Sequence, residues 1–262
     1  MSSTPAVALV TGASRGIGRV VAGRLARAGY AVALAARSAD PLTEAARETG
    51  GLALALDVTD GRAVEAAIAT VECQLGPIAL LVNNAGIAGE GGATWNQSAE
   101  SWWEVFEVNV LGTLLCSRAA LPGMRARGRG RIVNVASNAA FMSLAEGPVD
   151  RIGSAYMASK AAVVRFSEAL DSEARAEGVR VFAISPGTVK SEMTASIFLE
   201  EWDDPAFWTP AEVSADLIEF IGTGALDALG GRYIHAGKDD WRALPAQAQE
   251  IVEADRHSLR VR

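Results

Sequence analysis

Two side chains in this sequence are spaced to handle a proton together: Tyr156 and Lys160, in Tyr156-Met157-Ala158-Ser159-Lys160. The segment holds no proline and runs on into Val163, Val164, Phe166 and Leu170, a pattern that predicts a helix. Positions i and i+4 share a helix face, so the phenol and the ammonium lie side by side. A free phenol has a pKa of about 10 and is a poor acid or base at neutral pH. A neighbouring cation favours the phenolate and lowers that value. A phenol tuned in this way can give a proton to a carbonyl oxygen or take one from an alcohol. Taken alone, the pair is more simply a helix-surface contact; its weight comes from the rest of the chain.

The elements that would hold such a site alternate between strand and helix. Ala6 to Val10 is a short apolar run, the mark of a strand buried on both faces. It leads into Thr11-Gly12-Ala13-Ser14-Arg15-Gly16-Ile17-Gly18 and a helix from Arg19 to Ala28. Strand, glycine turn and helix in that order form a dinucleotide cradle. Gly12 permits the tight turn, Gly16 and Gly18 allow close backbone approach, and the helix N-terminus offers free N–H groups to phosphates. Ala31 to Ala36 is a second strand. An Asp or Glu at its end would bind the ribose 2′-hydroxyl of NAD, but the chain has Ala36 and then Arg37. A guanidinium there can hold a 2′-phosphate by two hydrogen bonds, and Arg15 adds a second cation, so NADP is favoured over NAD. Arg37 can also be read as a solvated loop residue or one that stacks on adenine.

Further strands are expected at Leu52 to Leu56, Ile78 to Val82, Arg131 to Ala136, Val179 to Ile184 and Arg232 to His235. Helices are expected at Pro41 to Thr49, at Gly61 to Leu75 with Asp60 as cap, from Tyr156 to near Gly178, and at Pro210 to Ile221. A long helical region from Ser101 to Arg127 should kink or break at Pro122-Gly123. Asn109 within it serves either to hydrogen-bond backbone or as a site residue. The fold class is therefore α/β, one doubly wound parallel sheet with helices on both faces, spanning 1–262 as a single domain.

Composition narrows the function classes. The chain has 262 residues and a formal net charge of -7, which argues against a broad nucleic-acid surface. The local run Arg125, Arg127, Arg129 and Arg131 reads as a solvated helix end. Cys73 and Cys116 have no metal-type spacing, and no metal site is expected. The N-terminus lacks the pattern of a signal peptide, and no apolar stretch approaches the length of a membrane span. A cytoplasmic protein without a membrane partner is expected.

At this point the chain resembles the short-chain dehydrogenase/reductase family. The matching pieces are Thr11-Gly12-x-x-x-Gly16-x-Gly18, Asp57-Val58, Asn83-Asn84-Ala85-Gly86, Asn109, Ser137, Tyr156-x-x-x-Lys160 and Pro186-Gly187, in the family's order. The resemblance implies hydride transfer between NADP(H) and a carbonyl or alcohol, with NAD the less favoured cofactor. It makes Tyr156 the general acid-base group and Lys160 the residue that lowers its pKa and binds the nicotinamide ribose. Ser137 would hold the substrate oxygen, and Asn109 would support a water relay to Lys160. Cofactor contacts carried by the resemblance are Gly12, Ser14, Arg15, Gly16, Ile17, Gly18, Arg37, Asp57, Val58, Asn84, Ala85, Gly86, Tyr156, Lys160, Pro186, Gly187, Val189 and Ser191.

Nineteen positions separate Ser137 from Tyr156, longer than the family's usual gap, and Ser143 lies nearer to it. Ser137 is chosen because it directly ends a strand, which positions a group rigidly. Residues 190–209, rich in Phe, Trp and Met, are expected to cover the substrate, or simply to pack their own loop on the core. The tail, 241–262, departs from the family's common ending. His235 is expected to be structural and His257 to lie on the surface. A homotetramer or homodimer on the helices of Asn109 and Lys160 is implied. A protein that senses dinucleotide without chemistry is the rival reading; an altered Ser, Tyr or Lys would mark it, and all three are intact.

Overall fold

The computed structural model describes residues 5–142, 149–195 and 197–260. Seven strands form one sheet: β1 (Val7–Thr11), β2 (Ala31–Ala36), β3 (Leu52–Ala55), β4 (Ile78–Asn83), β5 (Gly130–Val135), β6 (Val179–Ser185) and β7 (Tyr233–His235). Their order is β3-β2-β1-β4-β5-β6-β7, and every neighbouring pair is parallel. The central strands are largely apolar because both of their faces are covered, whereas alternate residues of the edge strand β3 are exposed. Alternate residues serve opposite cores: Ala8 and Val10 of β1 join one, Val7 and Leu9 the other.

On the first face pack α1 (Gly16–Arg27), α2 (Ala39–Thr49), α9 (Ala211–Gly222) and α10 (Leu244–Glu253), through residues such as Leu25, Leu42, Ile218 and Ile251. On the second pack α3 (Gly61–Gln74), α5 (Gly112–Ala126) and α7 (Ser154–Ala174), through Ile68, Met124 and Leu170. Asp60 caps α3 as expected, accepting from the N–H groups of Arg62 (2.9 Å) and Ala63 (3.1 Å). The remaining helices are short: α4 (Ala99–Phe106), α6 (Val149–Ile152) and α8 (Glu192–Ala195).

Three expectations need correction. Pro122 does not break the helix; α5 continues through it to Ala126, held by Cys116, Ala120 and Met124 buried against the sheet. Joined to α4 by a π-helical turn, Glu107–Leu111, the run Ala99–Ala126 is 28 residues long with a mean hydropathy of 1.2. By length and composition it could cross a membrane, contrary to expectation, although in this fold it is a core helix packed on β4 and β5. The third is His257, which was expected on the surface. Residues after α10 return along β7, where Tyr233 N donates to His257 O (2.8 Å) and His257 Nδ1 lies 2.9 Å from Tyr233 O. His257 is partly buried as a result. Arg260 pairs with Glu168 of α7, and Leu259 packs beside Ala136, Val163 and Val164. The basic run also has partners: Arg125 binds Glu177, Arg127 binds Glu72, and Arg131 binds Asp227.

Candidate active site

The sheet's direction puts every strand's carboxyl end on one rim, and the singled-out residues gather there. The glycine turn follows β1. Gly12 and Gly16 take positive φ, +64° and +53°. A Cβ on Gly12 would lie 2.9 Å from Ala85 Cα, and one on Gly18 only 2.3 Å from Gly12 O, so both are glycine for close packing. Around Gly16 there is open space. Helix α1 has no side-chain cap at Arg15, which leaves its first N–H groups free for an anionic group. This exposed cradle fits the pyrophosphate of a dinucleotide. Ser14 is buried at its floor and Ile17 packs on the core.

Thr11 and Asn84 build the turn from beneath. Thr11 Oγ1 accepts from the N–H groups of Asn84 and Ala85, both at 3.1 Å. Asn84 Nδ2 donates to the carbonyls of Thr11 (3.0 Å) and Gly12 (3.1 Å). The Asn84 side chain therefore clamps the cradle, and Thr11, quoted in the motif without a role, is its second anchor.

At the end of β2, Arg37 is exposed and makes no ion pair among the described residues. It helps hold the Asp57 carboxyl below its usual range, though hydrogen bonds from Thr59 do most of that. Asp57 is tied into its own turn by Thr59 N (2.9 Å) and Thr59 Oγ1 (2.7 Å). Val58 is buried against Gly112. Arg15 is not free: it pairs across the cradle with Glu192, the first residue of α8. Sequence reasoning gave Glu192 no role, because their separation of 177 residues leaves no local signal.

The reacting groups come from β5 and α7. Ser137 lies two residues past the end of β5, its Oγ accepting from Ala139 N (3.1 Å). Lys160 is buried and donates from Nζ to Val135 O (2.8 Å), which stitches α7 to the strand that carries Ser137. Lys160 Nζ stands 5.5 Å from the centre of the Tyr156 ring. Burial lowers the Lys160 pKa to about 8. Burial also raises the Tyr156 pKa, and the opposing influence is a hydrogen bond with Ser137, not the Lys160 charge. The expected lowering by Lys160 thus does not appear, because the ammonium faces Val135 O.

Asn109 sits in the π-helical turn, an irregularity frequent at functional sites. Its Oδ1 accepts from Ile87 N (2.9 Å), and its Nδ2 donates to Ile87 O (3.0 Å) and Ser159 Oγ (2.9 Å). Ser159 Oγ in turn donates to Tyr156 O (2.8 Å). Asn109 and Lys160 converge on Gly86, where a Cβ would stand 3.0 Å from Asn109 Oδ1 and 3.5 Å from Lys160 Nζ. Both readings of Asn109 hold in part: it bonds backbone, and it does so beside the site.

Pro186, Gly187 and Val189 follow β6; Gly187 has φ of +86° and a Cβ there would strike Thr209 Oγ1 at 2.3 Å. The Ser191 hydroxyl caps the turn into α8, 3.2 Å from Thr194 Oγ1. In the loop 190–209 the aromatics pack on one another, with ring centres of Phe198–Phe207 5.2 Å and Trp202–Trp208 5.3 Å apart. Lys190 covers Trp202 at 4.3 Å and donates to its carbonyl. They form a small core of their own, beside a hollow of about 400 Å³ that includes Lys190, Trp202 and Trp208 but none of the reacting groups. His235 is buried with Nδ1 accepting from Gly237 N (3.2 Å), and burial lowers its pKa, so it serves structure. Ser143 lies outside the described residues.

The family model for short chain dehydrogenases matches residues 6–202. The chain is 34% identical over 260 residues to "Short chain dehydrogenase pigC" of Monascus ruber, covering 94% of this chain and 83% of that protein. It is 41% identical over 202 residues to the "Monensin polyketide synthase putative ketoacyl reductase" of Streptomyces virginiae, covering 74% and 75%. A crystal structure of an actinorhodin polyketide ketoreductase variant with NADPH superposes with a TM-score of 0.81 at 31% identity, covering 90% of this chain and 97% of that one.

Proposed function

The chain belongs to the short-chain dehydrogenase family, whose members are NAD(P)-dependent oxidoreductases, and from that premise we propose that it interconverts a carbonyl compound and a secondary alcohol with NADP(H), Tyr156 being the acid-base group. The observation that carries this reading is the meeting of Tyr156, Ser137 and Lys160 on one rim of the sheet beside the glycine cradle. When bound, the nicotinamide supplies or accepts the hydride. Ser137 donates to the substrate oxygen, and Tyr156 gives that oxygen its proton in reduction or removes it in oxidation. Lys160, mostly charged below a pH of about 8 and 5.5 Å from the Tyr156 ring centre, would hold the nicotinamide ribose beside that phenol. Asn109 and Ser159 fix the backbone of the helix turn from which Tyr156 projects.

Exposed Arg37 and the absence of a carboxylate at the end of β2 support NADP over NAD. The NADPH-bound ketoreductase and the ketoacyl reductase relative support a ketone substrate. Large apolar side chains exposed on α4 and α5, Trp103 and Leu114 among them, support a homo-oligomer.

The test is NADPH consumption over ketones, aldehydes and keto esters. Tyr156→Phe should reduce turnover by at least about 10²-fold while NADPH still binds; a variant that keeps its rate would end the assignment. Arg37→Ala should shift the preference between NADPH and NADH toward NADH by about tenfold, the worth of a charge-assisted contact. An unchanged ratio would remove Arg37 from phosphate recognition.

A further inference from the structure

Ser185, at the end of β6, is 1% exposed. Its Oγ accepts two backbone N–H groups, from Asn138 (3.2 Å) and from Gly187 (3.3 Å). Asn138 directly follows Ser137, and Gly187 belongs to the turn after β6, the strand paired with β5. One hydroxyl thus joins the two segments that leave β5 and β6 at the site's rim. With its lone pairs engaged, Ser185 has its own proton left to give.

The acceptor beside it is Tyr233 of β7. Tyr233 Oη is sealed from solvent and has no partner at hydrogen-bond geometry among the described residues. Burial raises its pKa, and the Ser185 hydroxyl is the group that opposes this rise, as a donor to the phenol oxygen would. The ring packs against Phe141, four residues beyond Ser137, with centres 4.6 Å apart. Parallel pairing of Tyr233 with Ala183 sets this geometry, and His257 holds the Tyr233 backbone from outside. A phenylalanine would fill the same space without an unpaired hydroxyl, so packing alone does not require a phenol here.

We propose that Ser185 and Tyr233 are positioning residues for the reaction: the Ser185 hydroxyl donates a hydrogen bond to Tyr233 Oη, keeping its proton, and this turns the Ser185 oxygen to hold the Ser137 loop and the Pro186-Gly187 turn in register with Tyr156. The proposal rests on the reading of Ser137 and Tyr156 given above. It accounts for a buried hydroxyl that otherwise costs stability.

Ser185→Ala and Tyr233→Phe test it, with Tyr156→Phe as reference. One measurement is the rate of NADPH-dependent reduction of ethyl acetoacetate. The other is the ultraviolet titration of phenolate, which is legible because the chain has 3 tyrosines. The Tyr156 step is the one missing from Tyr156→Phe. Both positioning variants should lose about tenfold to a hundredfold in kcat, the scale of a small misplacement of reacting groups. Both should also move the Tyr156 step to higher pH, since the Ser137 hydroxyl that lowers it is no longer held. Tyr233→Phe should melt no lower than the parent. If kcat and the phenolate step both match the parent, the proposal is overturned, and a lower melting temperature with those two unchanged overturns it equally in favour of plain packing. Where ethyl acetoacetate is not reduced, the titration alone decides. Turnover by Tyr156→Phe would instead overturn the reading of the site, and this inference with it.

Discussion

Burial of Lys160 opposes folding at neutral pH. Its pKa is about 8 in the fold and 10.5 as an ordinary lysine. Between those values the unfolded chain holds a proton that the folded chain has released, so this group's contribution rises with pH across that window. Below it the full cost is present, roughly 3 kcal/mol. The hydrogen bond to Val135 O returns about 1 kcal/mol. Lys160→Met should therefore melt higher than the parent at pH 7, by roughly 2 kcal/mol of stability, and lose that advantage above pH 10.5, while turnover falls sharply. A variant that melts lower at pH 7 would show that Lys160 is not desolvated. A group kept in place against stability is expected where chemistry needs it.

At the scale of elements, the glycine turn separates two roles that the motif merges. A Cβ on Gly18 would stand 2.3 Å from Gly12 O, a backbone atom that cannot swing aside. Gly18→Ala should cost roughly 1–3 kcal/mol by overpacking and should abolish NADPH binding measured by fluorescence titration. Gly16 has free space and only its φ of +53° to satisfy. Gly16→Ala should cost about 1–2 kcal/mol through backbone strain, with a fold that survives. Equal losses at the two sites would refute the distinction. The spacing of glycines was visible in the sequence, but which of them meets other atoms was not, because the fold of the turn brings Gly12 O onto Gly18 and the loop after β4 brings Asn84 and Ala85 onto Gly12. The same limit explains Pro122. Its local preference predicts a break, whereas burial of Cys116, Ala120 and Met124 against the sheet outweighs one lost hydrogen bond.

For the whole molecule, the exposed side chains of α4, α5 and the π-helical turn between them bear on the proposed assembly. Trp103 is 56% exposed, and Leu111 and Leu114 are nearly 40% exposed. Light scattering should give a multiple of the 27.3 kDa chain, and Trp103→Glu should reduce it by placing a charge in an apolar contact. A parent protein that scatters as a monomer would remove the proposal. The tail works at the same scale. Tyr233 to His257 and Arg260 to Glu168 close the last strand and the active-site helix together, contacts between segments distant in sequence.

Composition and period were enough to establish the doubly wound parallel sheet, its strands to within a residue or two, the glycine turn, and the shared helix face of Tyr156 and Lys160, while Ser137 was singled out by the family resemblance. These are local matters: a strand buried on both faces must be apolar along its whole length, and positions i and i+4 must meet. The tertiary structure decided what those groups feel. The direction in which Lys160 points, the rise in the Tyr156 pKa, the engagement of Arg15 by Glu192, the partial burial of His257 and the bridge through Ser185 all depend on neighbours tens to hundreds of residues away. Desolvation and hydrogen-bond geometry arise only when those segments are brought together, so no spacing along the chain records them.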